Sequence, residues 1–288
     1  MPYDELLSRP VRGPDRVLRY GDHSEHVIDI REGTGGPGAP VVVLLHGGFW
    51  RAEVDRAHTA PMADALAAHG YTVCTPEFRR IGHEEGGYPG TFDDVTAAVD
   101  AVLADPPSGG GVVLVGHSAG GHLALWSALR HRLPAGARRH ARAPVRGVVA
   151  LAAISDVAAV YAEGLGDGAA RALLGGRPAL LDEVDPPRLL PYDNGALVLV
   201  HGTKDRVVPV EQSRRLAARE PAAHFVELPD VGHFKLIDPL SRAWPTVLTA
   251  ITTATTHPSL GGPARPSPAL AHRLFPPEPA RPSIRDVA

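Results

Sequence analysis

The chain of 288 residues holds very little cysteine and very little lysine. Cys74 is its one cysteine, which excludes an intrachain disulfide framework and any cysteine-rich zinc site. Lys204 and Lys235 are the two lysines among 29 cationic residues, so the other 27 are arginines. We interpret this bias as one of codon composition, because the arginines are scattered along the chain. The net charge of −3 provides neither a basic field for nucleic acid nor an acidic tail.

Long apolar runs are also missing. The longest uninterrupted aliphatic stretches are VVVLL at 41–45 and VVALAAI at 148–154, far below the roughly 20 residues that a spanning helix needs. The first twenty residues contain no apolar segment typical of a signal peptide. We therefore expect a cytoplasmic protein that binds neither nucleic acid nor membrane. A homodimer stays open, although no helical segment shows a clear heptad seam.

Short β-branched runs alternate with Ala- and Leu-rich helical stretches. The strand-like runs are almost continuously apolar, which is typical of strands buried on both faces of a parallel sheet. They lie at 41–46, 71–75, 112–117, 147–153, 196–201 and 223–228. Helical patterns fall at about 55–69, 92–104, 119–131, 211–219 and 240–256. This order predicts a doubly wound α/β domain, and the runs 16–20 and 25–31 predict an antiparallel hairpin at its edge.

Two segments break this alternation. Residues 155–195 are rich in Gly, Pro, Asp and Leu, which predicts an excursion from the sheet that forms a small cap or pocket wall. Residues 257–288 contain eight prolines and no apolar period, which predicts a disordered tail. The predicted organisation is therefore one α/β domain over 1–256, with the cap inside it, followed by the tail.

The most specific motif is a G-x-S-x-G sequence, Gly116-His117-Ser118-Ala119-Gly120. It follows the run VVLV and opens a helical pattern, which is the context of a nucleophile held on a sharp strand-to-helix turn. Such a turn exposes the Ser118 hydroxyl at a helix N-terminus, where the helix dipole favours negative charge. We expect Ser118 to be a catalytic nucleophile.

A serine nucleophile needs a base and a group that orients the base. In this architecture the chain order is Ser, then Asp or Glu, then His, and Asp205 and His233 supply it just after two predicted strands. His233 would take the Ser118 proton, and Asp205 would hold the imidazole in the required tautomer. Asp156 is the rival acid and Asp230 a weaker one. We favour Asp205, because it directly follows the later strand.

A second motif, His46-Gly47-Gly48-Phe49-Trp50, follows the strand VVVLL. Acyl transfer passes through an oxyanion that needs preorganised N–H donors. Gly47 and Gly48 free the backbone to turn those groups into a cleft, so Gly48 and Phe49 are the predicted donors, together with Ala119 after the nucleophile. His46 is predicted to brace this loop.

Candidates for the substrate pocket are mostly aromatic side chains near these motifs: Phe49, Trp50, Phe78 and Tyr88, with Leu190 from the excursion. Trp126 lies in the middle of a helical pattern and is predicted to be core. The fifteen histidines show no pair with a carboxylate at a metal-site spacing, and no nucleotide-binding loop is present. We expect neither a metal nor a cofactor.

Taken together, H-G-G-F-W, G-H-S-A-G-G-H, a late H-G-x-x-D and a final G-H-F resemble the α/β-hydrolase superfamily over about residues 40–255. The Trp of the H-G-G-x-W loop and the stretch from Pro76 to Val95 resemble the kynurenine formamidase (arylformamidase) branch and neighbouring small esterases. This resemblance implies the α/β-hydrolase fold and the triad roles for Ser118, Asp205 and His233.

The sequence thus indicates a metal-independent serine hydrolase of a small-molecule acyl substrate. The first expectation is an N-formyl aromatic amine such as N-formylkynurenine. A carboxylesterase is the close rival, since nothing in the spacing separates amides from esters. Acyl transfer or cyclisation by the same residues also stays open, and so does a binding module without catalytic activity.

Overall fold

The computed structural model describes residues 6–256, so the predicted disordered tail at 257–288 lies outside the described residues. Within that part of the chain, eight strands form one sheet in the order β1-β2-β4-β3-β5-β6-β7-β8. The strands are β1 Arg16–Arg19, β2 Val27–Arg31, β3 Val41–Leu45, β4 Thr72–Pro76, β5 Val112–His117, β6 Gly147–Leu151, β7 Ala196–Gly202 and β8 His224–Leu228. Neighbours from β4 through β8 are parallel, and β2 runs against both β1 and β4. The predicted parallel sheet with an antiparallel edge hairpin is confirmed.

Helices connect the parallel strands and cover both faces of the sheet. They are α1 Ala60–Ala68, α2 Gly90–Ala104, α3 Ala119–Leu129, α4 Val157–Glu163, α5 Leu165–Leu173, α6 Leu181–Val184, α7 Glu211–Arg219 and α8 Trp244–Thr256. Helices α1 and α8 pack on one face, and α2, α3 and α7 pack on the other. This is the expected result of crossover connections between parallel strands.

The apolar runs of the sequence are strands buried on both faces. Along β3, Val41, Val43 and Leu45 belong to one hydrophobic cluster, while Val42 and Leu44 belong to the other. Successive strand side chains point to opposite faces, so a strand covered on both sides must be apolar at every position. That requirement explains why apolar and polar residues do not alternate in VVVLL.

The segment predicted as an excursion leaves the sheet after β6 and returns at β7. It carries α4, α5 and α6 and covers the start of α3. Asp156 caps α4 by accepting the N–H of Ala159 at 2.9 Å, and the buried Asp185 accepts the N–H of Val157 at 2.8 Å. We refer to residues 155–195 as the cap. The predicted strand 147–153 ends earlier, at Leu151, because Ala152 turns the chain with a positive φ of 45°.

No helix between residues 6 and 256 combines the length and the apolar character that crossing a bilayer demands.

His122 joins three parts of the fold from the first turn of α3. Its Nδ1 accepts the indole N–H of Trp50 at 3.2 Å, and its Nε2 donates to the carbonyl of Val184 in the cap at 2.8 Å. This pattern requires the neutral imidazole. Burial lowers the pKa of His122 to about 4.

We expect acid to destabilise the protein before its carboxylates titrate. Below a pH of about 6.5, unfolded His122 binds a proton that the folded side chain does not, so stability is present above that pH and is lost as the pH falls towards 4. The loss is about 1.4 kcal/mol per pH unit for one such group. Urea unfolding at pH 7 and pH 5 should show a smaller pH effect in His122→Gln than in the parent. An equal pH effect in both proteins would contradict this assignment.

Candidate active site

Ser118 lies on a sharp turn between β5 and α3. Its backbone has φ 57° and ψ −120°, a conformation that residues with a side chain rarely adopt. A Cβ on Gly116 would lie 2.1 Å from the carbonyl oxygen of Gly120, and a Cβ on Gly120 would lie 2.1 Å from that of Leu45. The two glycines of the motif are therefore required, because α3 presses directly on β5 and β3.

Main-chain hydrogen bonds hold this turn against β6. The N–H of Ser118 donates to Leu151 at 2.9 Å, and the Ser118 carbonyl accepts the N–H of Ile154 at 3.1 Å. The residue is 2% exposed. The turn is thus fixed to the central sheet at the carboxyl ends of the strands, where ligand sites of open α/β sheets gather.

The structure brings His233 and Asp205 into direct contact at the same edge. His233 Nδ1 donates to Asp205 Oδ2 at 2.6 Å. The second oxygen of Asp205 accepts the N–H groups of Val207 and Val208, each at 2.8 Å. The carboxylate is thereby held in one orientation, with one oxygen on the loop and the other on the histidine.

Asp205 is held as a carboxylate. Burial alone would raise its pKa, but hydrogen bonds from His201 and His233 outweigh that effect and leave the pKa well below its ordinary value. His201 Nε2 lies 3.3 Å from the same oxygen that His233 contacts. The negative charge required to stabilise an imidazolium at His233 is therefore present at neutral pH.

The rival acids have other contacts. Asp156 accepts the N–H of Ala159 as the cap of α4, and its second oxygen lies 3.2 Å from Arg215 Nε. Asp230 is exposed, and its backbone N–H donates to the Thr203 hydroxyl at 2.9 Å. Neither carboxylate is paired with His233 within the described chain. The acid that the structure joins to the histidine is the one that the sequence favoured.

Two further histidines connect His233 to the serine turn. His117 Nε2 donates to the backbone carbonyl of His233 at 3.2 Å, so its Nδ1 must accept, and His58 Nε2 donates to it at 3.0 Å. Burial lowers the pKa of His58 to about 3 and holds that of His117 well below its ordinary value. These neutral rings fix the His233 loop beside the residue that precedes Ser118.

The position of His117 inside the G-x-S-x-G motif was visible in the sequence, whereas nothing in the sequence marked His58. The rings of His117 and His233 are 4.4 Å apart at their centres. Within residues 6–256, no hydrogen bond joins the Ser118 hydroxyl to the His233 ring. Catalytic hydrogen bonds are often long in ligand-free enzymes and shorten when substrate binds.

The glycine loop after β3 lies against the serine turn. A Cβ on Gly47 would come within 3.1 Å of Ser118 Cβ, and one on Gly48 would come within 2.4 Å of Val54 Cβ. Gly48, Phe49 and Trp50 all have positive φ, at 103°, 52° and 58°. The N–H groups of Gly48, Phe49 and Ala119 donate no hydrogen bond to any group in residues 6–256. This arrangement suits the binding of an oxyanion beside Ser118.

A buried ionic cluster supports this loop from below. His46 stacks on Phe78 with 4.5 Å between ring centres and contacts Gly47 O and Glu77 Oε1, each at 2.9 Å. Burial would raise the pKa of Glu77, but His46, Arg80 and a backbone N–H together lower it to about 2. His46 therefore has the bracing position that the sequence predicted, and Glu77 is a support that the sequence analysis did not single out.

The predicted pocket residues separate into different places. Trp50 and Phe78 are each 1% exposed and support the loop from the interior. Phe49 is partly exposed and packs against Gly166 of the cap, while Tyr88 donates to Glu183 of the cap at 2.6 Å.

Leu190 of the cap is partly buried and packs against the hydrophobic cluster to which α3 belongs, and its place in the pocket stays a prediction. Trp126, predicted as core, is 1% exposed.

No group of three or more His, Cys, Asp or Glu side chains in residues 6–256 has an arrangement that could hold a metal ion.

A family model described as BD-FAE matches residues 28–219. Esterase LipC of Mycobacterium tuberculosis is 27% identical over 254 residues, which cover 80% of this chain and 62% of that protein. The chain spans about three fifths of the length of the curated relatives that it matches first.

Two solved structures share the fold. Esterase B from Lactobacillus rhamnosis has a TM-score of 0.68 at 20% identity, covering 86% of this chain and 87% of its own. A truncated carbohydrate esterase from gut microbiota has a TM-score of 0.67 at 20% identity, covering 85% of this chain and 100% of its own. These similarities confirm the α/β-hydrolase fold.

The strained backbone at Ser118 should be measurable without reference to catalysis. We expect Ser118→Gly to be more stable than Ser118→Ala by about 1 kcal/mol, because alanine keeps the Cβ that opposes positive φ and glycine does not. Both variants lack the hydroxyl, so the comparison isolates the backbone. Chemical denaturation of the two variants measures the difference. Equal stabilities, or a more stable alanine variant, would show that the turn stores no such strain.

Proposed function

Because the chain belongs to the BD-FAE family, we propose that it is a serine hydrolase that cleaves small carboxylic esters through an acyl-enzyme. The observation that carries this proposal is the 2.6 Å hydrogen bond between His233 and Asp205 beside the strained turn of Ser118. The esterase names of the relatives support the same reaction class.

Catalysis would begin with Ser118 as the nucleophile. His233 takes the hydroxyl proton as the oxygen attacks the acyl carbon, and Asp205 stabilises the imidazolium that forms. His233 then returns the proton to the leaving oxygen, the C–O bond breaks, and the acyl group stays on Ser118. Water activated by His233 releases the carboxylic acid and restores the serine.

The oxyanion of both tetrahedral intermediates would be bound by backbone N–H groups. Ala119 supplies one from the start of α3, and Gly48 and Phe49 supply the others from the glycine loop. Losing one such donor typically costs about 10²–10³ in rate. The Glu77–His46 contact would keep these donors aligned. The aligned donors would form a fixed electrostatic environment, so they would not have to move during the reaction.

The leaving group separates the ester proposal from the formamide one. Amide cleavage demands protonation of a poor nitrogen leaving group, whereas an ester releases an oxygen that needs less assistance. The resemblance of the H-G-G-x-W loop and of the stretch from Pro76 to Val95 favours a formamidase. The relatives are esterases, and we therefore propose the ester as the principal substrate, N-formylkynurenine as the second candidate and acyl transfer as the third.

We expect Asp205→Asn to lower kcat on a p-nitrophenyl ester by about 10⁴, since the amide no longer favours the tautomer or the imidazolium of His233. Asp156→Asn is the matched control. Asp156 is a carboxylate at the same edge of the sheet, but its contacts are with α4 and Arg215 and not with His233. This variant should retain most of the activity. Labelling by a fluorophosphonate, read out at Ser118 by mass spectrometry, gives a second measure. If Asp156→Asn were the more damaged enzyme, the assignment of the acid would be wrong.

The substrate class is tested by rates measured side by side on short p-nitrophenyl esters and on N-formylkynurenine. We expect kcat/KM to be higher for the esters, with Ser118→Ala inactive on both. An enzyme that cleaves only the formamide would keep the serine mechanism and replace the ester proposal. Product analysis with an added alcohol or amine acceptor detects acyl transfer.

A further inference from the structure

A cleft of about 440 Å³ opens beside His233, between the loop after β7 and the loop after β8. The ring of Phe234 and the side chain of Val207 form part of its lining, and His233 reaches it from the interior. This volume is within the range of small-molecule sites. We call it the histidine cleft.

Positive charge surrounds the histidine cleft. Lys204, Arg206 and Lys235 line it, and Asp230 is the one acidic side chain in its lining. Lys204 and Arg206 are exposed and form no ion pair with any residue in 6–256. The two residues flank Asp205 in sequence, so the contacts that fix its carboxylate also fix the backbone from which both cations extend.

Lys235, the third cation of the lining, has an ion-pair partner. Its Nζ lies 3.7 Å from the buried carboxylate of Asp238, which Arg9 also approaches to 3.3 Å. The chain as a whole has a net charge of −3. The lysines add a separate observation, because both lysines of the 288-residue chain lie in this cleft.

We infer that the histidine cleft binds a carboxylate carried by the leaving group of the substrate, which makes Lys204 and Arg206 specificity-determining residues. The inference rests on the proposed esterase function. His233 must reach the leaving oxygen to protonate it, and His233 also lines the cleft, so a leaving group that contacts His233 can extend into the cleft. An aryl or alkyl body would pack against Phe234 while its carboxylate meets the cations.

The proposed reaction accounts for every bond and proton. The bond between the acyl carbon and the leaving oxygen breaks, the oxygen receives the proton that His233 took from Ser118, and a hydroxy acid departs from the cleft. The acyl group remains on Ser118 until water releases it. No oxidant, reductant or co-reactant other than water is needed.

Three phenyl acetates with an anionic, a neutral or a cationic meta substituent test this inference, with each rate divided by that of the same ester's hydrolysis by hydroxide, because the substituents also change how readily the phenol leaves. The three esters are 3-carboxyphenyl acetate, its neutral methyl ester 3-methoxycarbonylphenyl acetate, and the cationic 3-(trimethylammonio)phenyl acetate. The readout is kcat/KM for release of the phenol at low salt and at high salt. For the parent enzyme we expect the anionic ester to be preferred over the neutral one by about tenfold and the cationic ester to be disfavoured, with the preference reduced by salt.

Variants then locate the origin of the preference. Lys204→Gln and Arg206→Gln should each lower the preference for the anionic over the neutral ester by about two- to fivefold, as expected for exposed charges. Asp230→Asn should raise the preference, because it removes the opposing charge. Arg219→Gln is the matched control, since this exposed arginine at the end of α7 lies outside the cleft.

The outcomes separate the two proposals. Cleavage of the neutral ester without any preference for the anionic one overturns the carboxylate site and leaves the esterase proposal standing. The same conclusion follows if Arg219→Gln lowers the preference as much as Lys204→Gln does. An enzyme that labels at Ser118 but cleaves none of the three esters contradicts both proposals. A preference that falls in the cleft variants and rises in Asp230→Asn supports the site.

Discussion

The close approach of α3 to β3 and β5 is the constraint on which the site depends. The helix touches both strands only because Gly116 and Gly120 have no side chains, and this contact holds Ser118 at a positive φ. A wider gap between helix and sheet would let that backbone relax into an ordinary helical start. The hydroxyl would then turn away from the loop after β3. The rigidity of the sheet therefore maintains a conformation that the local sequence would not keep by itself.

The electrostatics of the site follow from burial and from the choice of partners. Two buried carboxylates, Asp205 and Glu77, keep their charge because several N–H donors and cations compensate the loss of water. The buried rings of His58 and His117 take the opposite state, because burial removes the charged form and their hydrogen bonds require the neutral one. A fixed carboxylate and neutral, hydrogen-bonded rings thus surround His233.

The cap and the loops after the strands contact different parts of the site. Helices α4 to α6 contact α3 and the glycine loop through His122 and Phe49. The loops after β7 and β8 hold Asp205 and His233 and also present Lys204 and Arg206 to solvent. Loops at the carboxyl ends of parallel strands are free to vary without loss of the sheet, which is why specificity is expected there.

The sequence by itself determined the alternation of strands and helices, the strand-to-helix turn at Ser118 and the chain order of Asp205 and His233, because apolar periodicity and turn glycines are local signals. It did not reveal His58, nor that Trp50 and Phe78 face the interior. It showed the scarcity of lysine but not that Lys204 and Lys235 share one cleft. Those facts depend on which segments far apart in the chain pack together. Only the tertiary structure decides this, because such contacts leave no periodic trace in the sequence.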